Sequence, residues 1–226
     1  MIDVNTAEEL KHYEFILRSG LTNLPLDIEF PYQAMYDEVS LMFDKFVTHR
    51  SYDSEGWKSL TLYGAGSDIT VSTDNSDYRS YSWTDVSKQL PASRSFFEKT
   101  FVCKPSRRIR FMMLEPNGYI AEHKDFKTNT LDSAVNFSLN HPTDCEWYLN
   151  DYLIPWSAGQ ARLLNLTNKH YVMNKSNERR IMMIYHGLQE NRDNPEWKRL
   201  VIKSFNKWKS NSLSSICRTY SSVAQR

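Results

Sequence analysis

The chain has 226 residues, enough for one large domain with a substantial core. Charged residues make up 24% and aromatic residues 13% of the sequence, an ordinary globular composition that excludes a disordered chain. The formal net charge is only +1, so the protein is not basic throughout and we do not expect nucleic acid as a partner.

Positively charged residues are concentrated at the C-terminal end of the sequence. Residues 191–226 hold eight Lys and Arg against two Asp and Glu, which we interpret as a solvated helix and tail, with contact to an anionic partner as the alternative. The cysteines Cys103, Cys145 and Cys217 are widely spaced and form no CxxC pair, which favours a reducing compartment. The acidic N-terminus and the lack of a long apolar run suggest neither a signal peptide nor a membrane span, so we expect a cytoplasmic protein.

The N-terminal part of the sequence has helical periodicity. Thr6 and Glu9 form a capping box that opens a predicted helix over residues 6–18. A second apolar series has the spacing of one helix face and predicts a second helix that turns Met and Phe side chains into the core. That series consists of Met35, Val39, Met42, Phe43 and Phe46.

The period changes to two from Trp57 to Tyr63, which predicts a strand. A polar loop over residues 67–82 follows, and we interpret it either as a lid or binding loop or as a plain connection. Pro91 then starts a short helix. Its predicted buried residues are Phe96, Phe97 and Phe101.

Beyond Pro105 short strands follow one another, separated by breakers such as Pro116-Asn117-Gly118. They cover residues 108–114, 119–125, 134–140, 145–150, 160–166 and 179–186. Since no helix-length segment separates them, we predict an antiparallel sandwich or barrel with flanking helices. A last amphipathic helix follows Pro195, marked by Trp197, Leu200, Val201, Phe205 and Trp208.

We therefore expect a mainly β fold in which residues 1–190 form a single domain. Its helical part would cover residues 1–50 and its β core about 56–188. Residues 191–226 would form a separate basic helix and tail.

The candidate metal ligands are two histidines and one carboxylate. His123 and Asp125 lie two residues apart on a predicted strand, so their side chains project to the same side and can bind one metal ion. His170 lies at the end of another apolar strand-like run. Two histidines with one carboxylate form the facial site of non-haem Fe(II) oxygenases, whose open positions accept a bidentate co-substrate and O2.

Arg180 follows on the last predicted strand. In alternation it shares a face with Met182 and Ile184, so it is expected to point inward, where an arginine requires an anionic partner. Its planar donor pair suits the distal carboxylate of a 2-oxo acid such as 2-oxoglutarate. Two alternatives stay open: a cupin-like zinc or manganese enzyme that does not use 2-oxoglutarate, and a non-catalytic ligand-binding jelly roll.

Several segments also carry a family resemblance. They are Leu114 to Asp125, Asn136 to Leu139, His141-Pro142, Cys145-Glu146-Trp147, Trp156 with Gly159, and His170 to Asn174 through Arg180 to Met182, preceded by Trp57 to Leu62 and Leu90-Pro91. Together, over roughly residues 56–188, they resemble the aspartyl/asparaginyl β-hydroxylase family of Fe(II)- and 2-oxoglutarate-dependent oxygenases.

The resemblance implies a double-stranded β-helix, which is a cupin-like jelly roll. It implies His123, Asp125 and His170 as the iron ligands, Arg180 as the anchor of the 2-oxoglutarate carboxylate, and Asn136 as a polar residue near this co-substrate. The implied reaction hydroxylates a C–H bond with O2 and gives succinate and CO2 as co-products.

Asp125 also narrows the expected substrate. Animal members of the family that act on epidermal-growth-factor-like domains have glycine at this ligand position, so the chain resembles the bacterial members instead. These include free amino acid hydroxylases such as proline cis-4-hydroxylases. We therefore expect a small-molecule substrate, an amino acid or a derivative, with a peptide or protein residue as the alternative.

Overall fold

The computed structural model describes residues 7–70, 78–105, 107–125, 131 and 134–223. Its helices are α1 (Ala7–Arg18), α2 (Tyr32–Ser40), α3 (Pro91–Ser95) and α4 (Pro195–Val223). Its strands are β1 (Asn23–Pro25), β2 (Val47–Thr48), β3 (Ser54–Gly64), β4 (Ser82–Trp83), β5 (Ile109–His123), β6 (Ala134–Ser138), β7 (Cys145–Leu149), β8 (Tyr152–Leu153), β9 (Ala161–Leu164), β10 (His170–Asn174) and β11 (Arg180–Tyr185).

The strands form one curled antiparallel sheet in the order β1-β9-β6-β11-β5-β10-β7-β8, with β3 also paired to β5. Strand β5 changes its partner along its length. Its first half pairs with β11 and its second half with β10. This exchange wraps the sheet around an interior, so the fold is a double-stranded β-helix, as the sequence led us to expect.

Alternating side chains on the strands enter two separate cores. One core lies between the sheet and the helices, where the ring of Phe137 packs against those of Phe30, Phe96, Phe97 and Phe101. The other core lies inside the curled sheet and includes Met112, Leu114, Trp147, Val172 and Met182. Because the two sets alternate with period two, a polar residue in the second set faces the interior of the barrel.

Most of the predicted elements are confirmed. Helix α1 begins at the first described residue, so the capping residue Thr6 lies outside the described residues. Strand β3, the later predicted strands and the final helix are present, and Phe96, Phe97 and Phe101 are buried. The polar loop is described only at its two ends, because residues 71–77 lie outside the description. Its role as a lid stays a prediction.

The prediction of one helix through Phe46 is wrong. Helix α2 ends at Ser40, whose hydroxyl donates a hydrogen bond to the carbonyl oxygen of Asp37 at 2.7 Å. The next two backbone N–H groups bond three residues back rather than four, which tightens and ends the helix. A separate 3₁₀ turn, Phe43–Lys45, follows. The expected core role still holds for Met35, Val39, Met42 and Phe46, which are buried.

The predicted turn at residues 116–118 is also wrong, because β5 continues through it. Asn117 adopts a φ of 59° and Gly56 on the paired strand β3 a φ of 69°, where the β3–β5 register shifts as in a β-bulge. A Cβ on Gly118 would lie 2.8 Å from the carbonyl oxygen of Glu55. The strand therefore passes this point only because glycine lacks that atom.

Helix α4 packs against α1 and β1. The indole nitrogen of Trp197 donates a hydrogen bond to the Tyr13 hydroxyl at 3.0 Å, and both side chains are buried. The proposed division at residue 190 stays a prediction.

Candidate metal centre

Two paired strands bring the candidate metal ligands together. His123 is the last residue of β5, His170 is the first residue of β10, and their Cα atoms are register partners. Asp125 lies just past β5, where its backbone N–H donates to the carbonyl oxygen of Leu166 at 3.0 Å. One ligand atom from each of the three side chains lies within 4.8 Å of the others.

The expectation that His170 ends a strand-like run is corrected, because this residue begins a strand. Strand β9 stops at Leu164, and Asn165 then forms a turn. Its side-chain oxygen accepts hydrogen bonds from the backbone N–H of Thr167 at 3.3 Å and from the Thr167 hydroxyl at 2.6 Å. The turn reverses the chain, so His170 enters the sheet beside His123.

Backbone carbonyl groups orient both imidazole rings. Nδ1 of His123 lies 2.7 Å from the carbonyl oxygen of Ala121, and Nδ1 of His170 lies 3.0 Å from that of Asn168. Since a carbonyl oxygen only accepts, each Nδ1 carries the proton and each Nε2 is the nitrogen available to a metal. These Nε2 atoms lie 3.2 Å and 3.7 Å from the two carboxylate oxygens of Asp125.

The electrostatics of the three groups favour an ionised carboxylate. Burial raises the pKa of Asp125, but the neighbouring side chains of His123 and His170 outweigh burial and lower this pKa to about 2. Burial also lowers the pKa of His170, which favours its neutral imidazole. A carboxylate and neutral imidazoles are the protonation states that bind a divalent metal.

The two other predicted site residues point into the same interior. Arg180 is buried, its guanidinium lies 4.7 Å above the Trp147 ring, and its Nε and Nη2 have no hydrogen-bond partner among the described residues. Asn136 on β6 is fully buried, and neither its amide nitrogen nor its amide oxygen has a described partner. Buried polar groups without partners are costly, so both side chains suit the binding of a polar ligand.

A cavity of about 50 Å³ connects these groups. It brings together all five predicted site residues, walled by apolar side chains such as Met112 and Val172. The five are His123, Asp125, Asn136, His170 and Arg180.

Sequence reasoning missed a second group of polar residues beside this cavity. Arg50 and Arg110 line an adjoining pocket of about 270 Å³, which also includes Trp57 and Asp125. Arg110 shares the inner face of β5 with Met112 and Leu114, so the alternation that singled out Arg180 could have identified it.

The fold and the site together define a double-stranded β-helix protein with a candidate metal centre of two histidines and one aspartate. The family model "Aspartyl/Asparaginyl beta-hydroxylase" matches residues 28–189, more than half of the chain. The chain therefore belongs to this family of Fe(II)- and 2-oxoglutarate-dependent oxygenases, which confirms the resemblance.

Solved structures with a similar fold have low sequence identity. An oxidoreductase of the 2OG-Fe(II) oxygenase family from Burkholderia pseudomallei is 13% identical, with a TM-score of 0.47 over 80% of this chain and 90% of that one. A prolyl hydroxylase from Trichoplax adhaerens, solved with a hypoxia inducible factor peptide, is 13% identical, with a TM-score of 0.48 over 82% of this chain and 96% of that one.

A conserved Streptococcus pyogenes protein of unknown function is 16% identical, with a TM-score of 0.27, and the match spans 34% of this chain and 60% of that one. A comparison with curated proteins gave no match. Among the described residues, no helix is long and apolar enough to cross a membrane.

Proposed function

We propose that the protein hydroxylates a C–H bond of a small molecule, an amino acid or a derivative, with His123, Asp125 and His170 as the ligands of Fe(II). The observation that carries this proposal is the convergence of the three ligand atoms within 4.8 Å, with both Nε2 atoms turned toward the carboxylate. Three ligands on one side of an octahedral ion leave the other side open.

Arg180 and Asn136 are the proposed binding groups for 2-oxoglutarate. The guanidinium group of Arg180 can donate two parallel hydrogen bonds to the distal carboxylate, and the Asn136 amide can both donate and accept. Their buried polar atoms without described partners support this assignment. The guanidinium carbon lies 4.7 Å from the centre of the Trp147 ring, and this cation–π contact restricts the side chain before the ligand arrives.

When bound, iron and 2-oxoglutarate would supply the oxidative chemistry, with succinate and CO2 as co-products of the hydroxylation. The residues of this chain have three tasks. The carbonyl groups of Ala121 and Asn168 hold the imidazole rings in place, Arg180 orients the co-substrate, and the apolar wall around Met112 and Val172 keeps water away.

The test is anaerobic titration with Fe(II) followed by 2-oxoglutarate. We expect the wild-type protein to bind both, and we expect His123→Ala or Asp125→Ala to weaken iron binding at least about 10- to 100-fold. His12→Ala is the matched control, because His12 packs against Phe205, away from the candidate centre. Its iron affinity should equal that of the wild-type protein.

Exposure of the loaded protein to O2 should then release succinate, measured with and without pools of amino acids. Iron binding that is the same in wild-type protein and in both ligand variants would refute the metal assignment. Succinate release that responds only to peptides would refute the proposed small-molecule substrate.

A further inference from the structure

The pocket of about 270 Å³ beside the candidate metal centre has a basic wall. It shares Trp57 and Asp125 with the cavity that holds the proposed iron ligands, so a molecule in the pocket would lie next to that centre. Asp125 is the one carboxylate among its described lining residues. The basic lining residues are His49, Arg50, Arg108, Arg110 and His186.

Arg110 is a buried cation without a described carboxylate partner. Only 5% of it is exposed. Nη1 donates to the carbonyl oxygen of Thr70 at 2.5 Å, Nη2 lies 3.4 Å from Nε2 of His186, and Nε has no partner among the described residues. Burial and the charge of Arg108 lower the pKa of Arg110 to about 9, so it still carries a proton at neutral pH.

Arg50 faces the same pocket from the segment before β3. Its guanidinium lies 5.0 Å from the centre of the Trp57 ring and 5.5 Å from that of the Tyr52 ring, and these cation–π contacts restrict the side chain. Its Nε lies 3.4 Å from a carboxylate oxygen of Asp53, and its buried Nη2 has no described hydrogen-bond partner. Asp53 offsets the charge of Arg50, whereas Arg110 has no carboxylate partner among the described residues.

The two histidines add polar groups but no charge. Burial and the nearby arginines lower the pKa of His49 to about 3 and that of His186 well below its usual value, so both are neutral at neutral pH. Asp125 attracts Arg110, but a metal ion at the candidate centre would share that negative charge. A neutral ligand would leave Arg110 buried and unpaired, whereas an anion would satisfy it.

We propose that the primary substrate carries an oxyanion, a carboxylate or a phosphate, that binds between Arg50 and Arg110 and so presents a neighbouring C–H bond to the metal centre. This inference rests on the proposed oxygenase function and adds the substrate class. Nη2 of Arg50 and Nε of Arg110 are N–H donors without a described hydrogen-bond partner, which suits a group with two or three acceptor oxygens. In this arrangement 2-oxoglutarate binds on the other side of the interior, at Arg180.

The test uses the full chain loaded anaerobically with Fe(II) and saturated with 2-oxoglutarate. Calorimetric titrations are carried out with inorganic phosphate, with free L-amino acids and with the corresponding amino acid amides, which lack the carboxylate. We expect phosphate or one or more acids to bind, and each matching amide to bind at least tenfold more weakly. Binding of phosphate would identify the oxyanion as a phosphate group, and binding of an amino acid would identify it as a carboxylate.

Arg50→Gln and Arg110→Gln should each weaken the binding of that anion at least tenfold without changing the affinity for 2-oxoglutarate. The matched control is Arg94→Gln, because Arg94 also lies over a tryptophan ring and beside a carboxylate, but away from the pocket. It should bind the anion as the wild-type protein does. Arg50→Gln decides the test if Arg110→Gln does not fold.

An amide that binds as tightly as its matching bound acid, binding of none of these anions, or unchanged anion binding in Arg50→Gln would overturn the proposal. A peptide without a free acidic group that binds more tightly than every small anion would also overturn it. Fe(II) and 2-oxoglutarate affinities are measured on the same samples. If the wild-type protein fails to bind them, the oxygenase function fails, while phosphate binding to the metal-free chain still tests the pocket.

Discussion

Changing Arg180 to methionine is expected to move ligand affinity and protein stability in opposite directions. In the protein without ligands, Arg180 is a buried cation without a described carboxylate partner. In the proposed function, 2-oxoglutarate neutralises this charge when it binds. Arg180→Met should therefore weaken co-substrate binding while it stabilises, or leaves unchanged, the ligand-free protein.

The expected changes in affinity and stability follow from the burial of the Arg180 guanidinium. Loss of one partner from a buried, hydrogen-bonded charge pair costs about 2–5 kcal/mol, which lowers 2-oxoglutarate affinity about 30- to 4000-fold. Replacing a buried charge by an apolar side chain of similar volume stabilises by up to about 4 kcal/mol. The lost contact with the Trp147 ring offsets about 1 kcal/mol of this. A net gain of up to about 3 kcal/mol would raise Tm by up to about 10 °C.

Urea unfolding of the metal-free protein gives the stability, and equilibrium dialysis of the iron-loaded protein gives the affinity. Arg179→Met is the matched control, because Arg179 is exposed and pairs with Glu115. It should leave the affinity unchanged and alter stability by less than about 1 kcal/mol. If Arg180→Met instead destabilised the metal-free protein by several kcal/mol and kept its 2-oxoglutarate affinity, Arg180 would be a structural residue and the reasoning would be refuted.

Two further predictions concern the bulged part of β5. Gly118→Ala places a Cβ 2.8 Å and 2.9 Å from two carbonyl oxygens and should lower the free energy of unfolding, measured in urea, by about 1–3 kcal/mol. The control Ala121→Gly should lower it by less. Equal stability of Gly118→Ala and the wild-type protein would contradict this prediction. Burial raises the pKa of Glu115, but hydrogen bonds from Lys58 and Arg179 lower it below its usual 4.5, so its ionised form stabilises the fold above pH 4.5. Glu115→Gln should therefore be less stable than wild type at pH 7, and the difference should vanish as pH falls through the lowered pKa; a difference independent of pH would contradict this.

The alternation of apolar and polar residues was sufficient to predict the strands and the direction of Arg180. Its neighbours Met182 and Ile184 line the same cavity, as period two requires. The same reasoning could not predict that β5 continues through residues 116–118. Pro116 and Gly118 are typical of a turn, and only the pairing with β3, whose own Gly56 has a φ of 69°, makes a bulge the lower-energy solution.

The pocket beside the candidate metal centre could not be predicted from the sequence, because two of the arginines that line it are far apart in the chain. Arg110 is recognisable by alternation on β5, but its importance depends on Arg50, 60 residues earlier in the chain and outside any strand. Neither arginine is unusual alone, because an inward arginine often has a carboxylate partner from elsewhere in the fold. It is the described surroundings, in which Asp53 offsets Arg50 and no carboxylate pairs with Arg110, that make an anionic ligand the simplest partner for the pocket.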